Sequence, residues 1–192
     1  MAVATEDWST YWAVVVAKKG SPTFDGTAEY FKGKKVICCQ LASSGEFFVR
    51  SVYGDLPLDC DLKRAASHGA ALRALSKGAA DIAVVKNRVY AGMSKDPKNK
   101  DIFANIEIVG RHNGENPNGT LIVSKSVSVE LRQKVKKALL DLESDTSTEA
   151  KKLNESLKVR RYIVTTTDDF MYTIPMLKSA GVTRDFNFSF DG

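Results

Sequence analysis

The sequence predicts an α/β fold, with a mixed, mostly parallel sheet flanked by helices. Short apolar runs of strand length, such as Val36–Cys39 and Asp81–Val85, are bounded by polar residues. Between them lie segments whose apolar residues recur at helical spacing. The two kinds of signal alternate along the chain, which favours parallel strands joined by helical crossovers.

The elements follow in order. Tyr11–Ala17 is a continuous apolar, β-branched run and reads as a central strand, closed by the turn Lys18-Lys19-Gly20-Ser21-Pro22. Phe24–Phe31 is short and mixed, a helical turn at most. Val36–Cys39 is the next strand, and a helix runs from Ser44 to about Val52, stopped by Tyr53-Gly54-Asp55 and Pro57. After Cys60 a short extended piece precedes a helix that begins at Ser67 or His68 and ends near Gly78; Ala71, Leu72 and Leu75 give it an apolar face. Asp81–Val85 is a buried strand, and Lys86–Tyr90 opens a helix. Ile106–Gly110 and Thr120–Val123 read as strands, with turn chemistry throughout 113–119. Leu131, Val135, Ala138, Leu139 and Leu142 mark an amphipathic helix from about Ser128, and Thr146-Ser147-Thr148-Glu149 has capping-box spacing for another, through Leu157. Tyr162–Val164 is a short strand. A last helix starts at Thr166 or Thr167 with Asp168-Asp169 and ends at Gly181.

The 192 residues allow one ordinary domain or two small lobes. A net charge of +5 fits an anion-binding surface, but the lysines cluster in separate turns rather than in a stripe, so no nucleic-acid partner is expected. Cys38, Cys39 and Cys60 are odd in number and lack CxxC spacing, which predicts free, buried thiols and no zinc. No run of about twenty apolar residues suggests a spanning helix. Met1–Trp8 lacks the charged and apolar regions of a signal peptide. Neither a Walker A nor a GxGxxG sequence is present, and no cofactor is expected.

In parallel α/β sheets ligands bind outside the carboxyl ends of the strands. Ser43-Ser44-Gly45 after the Val36 strand, Ser67-His68 at a helix start, and Lys86 after Val85 all fall there. A Ser-Ser-Gly turn at a helix start can cradle an oxyanion with free N–H groups and hydroxyls; it can equally be a plain N-cap. His68, too, is a common helix-start histidine, and Lys86 an ordinary surface charge. A nucleophilic serine with His68 as base and Asp81 as orienter is the enzymatic alternative, but Ala42-Ser43-Ser44-Gly45 is not a G-x-S-x-G elbow. His68 and His112 have no partners at metal-ligand spacing. No catalytic residue and no metal ligand is assigned.

The order of these pieces resembles the phosphate/phosphonate-binding proteins of ABC transporters. The resemblance rests on Phe31-Lys32-Gly33-Lys34-Lys35-Val36, Ala42-Ser43-Ser44-Gly45, Ser67-His68-Gly69-Ala70-Ala71-Leu72 and Lys77-Gly78-Ala79-Ala80-Asp81-Ile82-Ala83-Val84-Val85. Pro117–Val123, Ser126–Leu142 and Asp168–Tyr172 with the last helix continue it. It implies the type II periplasmic-binding fold, two α/β lobes with the ligand in the cleft, and a non-enzymatic solute-binding role in oxyanion transport. Carried over, the ligand-binding residues are Ser43, Ser44, Gly45 and His68. Ala42 replaces the first hydroxyl of the family's run. Lys86 stands where an acidic or small polar residue would receive an aminoalkyl group, and a cation there favours a more anionic ligand, or none. The resemblance implies one complete lobe, 35–124, with 1–34 and 125–192 as a partial first lobe lacking its N-terminal part. The implied partners are a small oxyanion, an ABC permease and, through uncovered strand edges, a second copy of the chain. The implied location is periplasmic or extracellular. The alternative function is a sensing or interaction domain on the same fold.

Overall fold

The computed structural model describes residues 2–5, 10–117, 120–157 and 161–186. In chain order its elements are β1 (Ala2–Thr5), β2 (Thr10–Tyr11), β3 (Ala13–Lys18), β4 (Lys35–Cys38), α1 (Ser44–Tyr53), β5 (Asp61–Arg64), α2 (His68–Ser76), β6 (Ile82–Lys86), α3 (Asn87–Lys95), α4 (Lys100–Phe103), β7 (Ile106–Arg111), β8 (Asn116–Pro117), β9 (Leu121–Ile122), α5 (Val129–Asp141), α6 (Thr148–Leu157), β10 (Tyr162–Thr165) and α7 (Thr173–Ser179). They group into two compact units, Trp12–Glu115 with Thr173–Gly192 and Met1–Tyr11 with Asn116–Tyr172.

The larger unit holds a five-stranded sheet in the order β5-β4-β6-β3-β7. β4 is parallel to β5 and β6, whereas β3 is antiparallel to β6 and β7. Four strands therefore run one way and β3 alone runs against them, which makes the sheet mixed and mostly parallel. Strand alternation sends side chains to two separate cores. Ala13, Val15, Val36, Cys38, Ile82 and Val84 pack with Phe48 and Val49 of α1 and Met176 of α7. Val14, Val16, Ala83 and Val85 pack with Leu72 and Leu75 of α2, with Tyr90 of α3 and Phe103 of α4 at the margin. β3 and β6 are buried along most of their length, as a strand covered by helices on both faces should be.

The smaller unit has a three-stranded antiparallel sheet in the order β10-β1-β9, with Val3 opposite both Val164 and Leu121. A short ladder pairs β2 with β8. α5 starts where expected, with Ser128 accepting the Leu131 N–H. α6 is capped by Ser147, whose Oγ accepts the Ala150 N–H.

Several details differ from the sequence expectation. The first central run is broken at Trp12 into β2 and β3. The 113–119 segment is not turn throughout, because Asn116 and Pro117 pair with Tyr11 and Thr10; Asn118 and Gly119 lie outside the described residues. The last helix is split. Thr167–Phe170 forms a 3-10 turn under a Thr166/Asp169 capping box, and α7 begins afresh at Thr173. Of the three free thiols, Cys38 and Cys39 are buried and Cys60 is half-buried.

Candidate functional site

Because β4, β5 and β6 are parallel, their carboxyl ends lie at one edge of the sheet. Each leads directly to a residue singled out by sequence: β4 to Ser43 and Ser44, β5 to His68, β6 to Lys86. Ser43 is the N-cap of α1 in extended conformation, and its Oγ accepts the Glu46 N–H at 3.4 Å, close to the outer limit of a hydrogen bond. Capping is therefore real but loose.

Gly45 has a steric reason to be glycine. A Cβ there would stand 2.3 Å from the Val84 carbonyl oxygen, so the first turn of α1 lies directly on the backbone of β6. The turn is also strained. Ala42 has φ of 59°, the left-handed region, and is the only non-glycine residue in it among the described residues. Glu46 holds it in place. Its carboxylate accepts the Ala42 N–H at 3.1 Å and is clamped by the guanidiniums of Arg50 and Arg64 at 2.8–3.1 Å. Glu46 is wholly buried. Burial works to raise its pKa, but the hydrogen bonds and charges of Arg64 and Arg50 outweigh it and hold the carboxyl below its usual range. Sequence reading missed this residue, although Ser43-x-x-Glu46 has capping-box spacing. The clamp depends on Arg64 of β5, which no local pattern reveals.

His68 is the first residue of α2, after the N-cap Ser67, and is half-buried. Its Nδ1 accepts the backbone N–H of Lys86 at 3.4 Å, which joins the start of α2 to the end of β6. Burial first, and then the Lys86 charge, push the imidazole below its ordinary pKa. At neutral pH the ring is thus uncharged, and the bond at Nδ1 assigns the proton to Nε2, leaving that N–H as a donor.

Two strands further on, His112 follows β7 and its N–H donates to the Ala13 carbonyl. Its ring lies 5.3 Å from that of Phe48 on α1. Among the described residues its buried Nδ1 has no hydrogen-bond partner, and burial lowers its pKa, partly opposed by the Gly114 backbone. Sequence reading weighed His112 only as a metal ligand. Among the described residues no cluster of His, Cys, Asp and Glu could hold a metal ion. At the same edge Asn87 accepts the Trp12 N–H at 3.2 Å and Arg111 stacks over the Trp12 ring at 5.2 Å. The proposed enzymatic partners are not brought together: Asp81 accepts the Lys35 N–H at the opposite edge of the sheet, away from His68. A cavity of about 420 Å³ beside Lys18, Tyr30, Lys34 and Asp81 also lies at that opposite edge.

Ser43, Ser44, the first N–H groups of α1, His68 and Lys86 therefore share one edge, an arrangement able to surround an oxyanion with neutral and charged donors. The model of the family described as ABC transporter, phosphonate, periplasmic substrate-binding protein matches residues 1–170. Among solved structures, the chain is similar to XAC2383 from Xanthomonas citri bound to ATP, at 14% identity and a TM-score of 0.69 over 94% of this chain and 71% of that one. It is similar to PhnD1 from Prochlorococcus marinus in complex with methylphosphonate, at 13% identity and a TM-score of 0.69, with the same shares covered. A binding-protein component of an ABC phosphonate transporter from Pseudomonas aeruginosa matches at 14% identity and a TM-score of 0.64, over 96% of this chain and 65% of that one. These structures share the expected fold. No curated protein matches in sequence.

Proposed function

The chain belongs to the family of ABC-transporter phosphonate substrate-binding proteins, and on that premise we propose that it binds a phosphonate-type oxyanion at the start of α1. The carrying observation is the convergence at one sheet edge of the Ser43–Gly45 turn with His68 and Lys86. In this reading the Ser44 and Gly45 N–H groups and the two hydroxyls hold the anion, with the positive end of the α1 dipole behind them. His68 donates Nε2–H. Glu46 acts indirectly, by fixing the Ala42 turn that presents these groups. Ser43 releases its long bond to Glu46 and turns its hydroxyl to the ligand.

The protein binds its ligand without turning it over and passes it to an ABC permease. Methylphosphonate, held by one of the structural relatives, is the natural first probe. Thermal melts with methylphosphonate, phosphate, phosphite and sulfate test the reading, since ligand at about a hundred times Kd adds roughly 2.7 kcal/mol. Stabilisation by phosphonate that is lost in Ser44→Ala supports it. Equal stabilisation of wild type and Ser44→Ala, or none by any anion, refutes it.

A further inference from the structure

The chain leaves β3 at Lys18 and returns to the sheet at β4, and the arch between them is pinned along its length. Its first turn closes with the Ser21 N–H on the Lys18 carbonyl. The Lys19 N–H donates to the Asn105 carbonyl and the Gly20 N–H to the Glu107 carboxylate, which ties that turn to β7. The Phe24 N–H then donates to the Val109 carbonyl, and the Phe24 ring packs 5.2 Å from Tyr30 and 5.3 Å from the buried Phe31. Tyr30 returns its hydroxyl to the Pro22 carbonyl at 2.8 Å. The arch is held by its own bonds, so the cavity of about 420 Å³ between it and the sheet edge is preformed.

The floor of this cavity is apolar. Ala17 and Ile82 sit opposite each other on β3 and β6, and both are buried. Pro22 and Tyr30 form a wall, and Lys18, Lys34 and Asp81 supply the charge. Lys34 is half-buried, stands 4.5 Å over the Tyr30 ring and donates to the Tyr30 carbonyl. One bond leaves its ammonium with N–H groups for a further acceptor. Lys18 makes no ion pair among the described residues, and its ammonium lies 3.8 Å from where a Cβ on Gly78 would stand, beside the turn that leads into β6. Asp81 commits one carboxylate oxygen to the Lys35 N–H at 2.8 Å. Two cations against one anion leave the lining with an excess positive charge. A monoanion balances that excess, a dianion would overshoot it and meet the Asp81 carboxylate, and a cation would face both lysines. An apolar floor beneath such charges fits an acid whose hydrocarbon body rests on Ala17 and Ile82 while its carboxylate reaches Lys18 and Lys34.

We propose that this cavity is a second ligand site, separate from the start of α1, for small monocarboxylic acids with an apolar or aromatic body. It stands or falls independently of the oxyanion reading, because no residue is shared between the two. NMR titrations of the full chain would use benzoate, benzylammonium (a similar ring with the opposite charge) and methylphosphonate. Benzoate should move the resonances of Lys18, Tyr30, Lys34 and Ile82 to saturation, and benzylammonium should bind at least about tenfold more weakly. Lys18→Met and Lys34→Met, which keep the stem and remove the charge, should each weaken benzoate by about fivefold and leave the response to methylphosphonate unchanged. Saturating methylphosphonate should leave the benzoate affinity as it was. The inference is overturned if benzoate gives no saturable shift at these residues, if its shifts fall at Ser44 and Gly45 instead, if benzylammonium binds as tightly, or if methylphosphonate displaces benzoate. Should a variant not fold, the comparison of benzoate with benzylammonium on the wild type still decides.

Discussion

Replacing Gly45 by alanine sets two well-known effects against each other. In an unobstructed helix the change would add about 1 kcal/mol of stability. Here the new methyl carbon would stand 2.3 Å from the Val84 carbonyl oxygen and 3.0 Å from the carbonyl carbon. Both are backbone atoms of a buried strand bonded on both sides, to β4 and β3. To restore an ordinary contact of about 3.4 Å, the first turn of α1 must retreat by roughly 1 Å, parting Phe48 and Val49 from the sheet. Overpacking of this kind costs about 1–3 kcal/mol, and with backbone as the obstacle the upper end applies. A chain of this length loses about 2–4 °C of melting temperature per kcal/mol, so Gly45→Ala should melt some 4–10 °C lower. Differential scanning calorimetry reads this directly. A variant as stable as wild type, or more stable, would show that α1 does not lie on β6, and the placement of the oxyanion turn would fail with it.

Other outcomes follow from the same geometry. Ser43→Ala should lose about 1 kcal/mol or less in denaturant titrations, because the cap bond is long. Glu46→Gln should destabilise by about 1–3 kcal/mol at pH 7, since the arginines lose their charge partner inside the fold. The Glu46 carboxyl is depressed in the folded state, so its contribution is present above the ordinary carboxylate pKa and lost as pH falls through the folded value. The gap between wild type and Glu46→Gln should therefore narrow in acid; a gap that widens would contradict the clamp. His68 and His112 are also depressed below 6.5, so the stability they lend as neutral rings is present above that value and lost as pH falls through their folded pKa values. Melting temperature should fall between pH 7 and pH 5, and His112→Phe should lose part of that slope.

Sequence reading placed most elements because their cues are local. The helix start at Ser43 and Ser44, the stop at Gly54 and the buried run of β6 each announce themselves within a few residues. The placement of Ser43, Ser44, His68 and Lys86 at one edge of the sheet was legible for a related reason: strand-to-helix junctions are local, and parallel order brings them together. What stayed hidden depends on distant partners. β3 joins β6 and β7 across tens of residues, and its direction against the other strands leaves no mark on its apolar run. Glu46 becomes a buried anchor only when β5 delivers Arg64. His112 reaches the α1 face only through the pairing of β7 with β3. The split before α7 follows from Asp169, which turns back to cap Thr166 instead of continuing a helix.

The proposed oxyanion site at the start of α1 is tested most directly by amide chemical shifts during a titration with methylphosphonate. The N–H resonances of Ser44 and Gly45, with the Nε2 side of His68, should move most and saturate together. Saturating shifts confined instead to the opposite edge, around Lys18, Tyr30 and Lys34, would contradict binding at the start of α1.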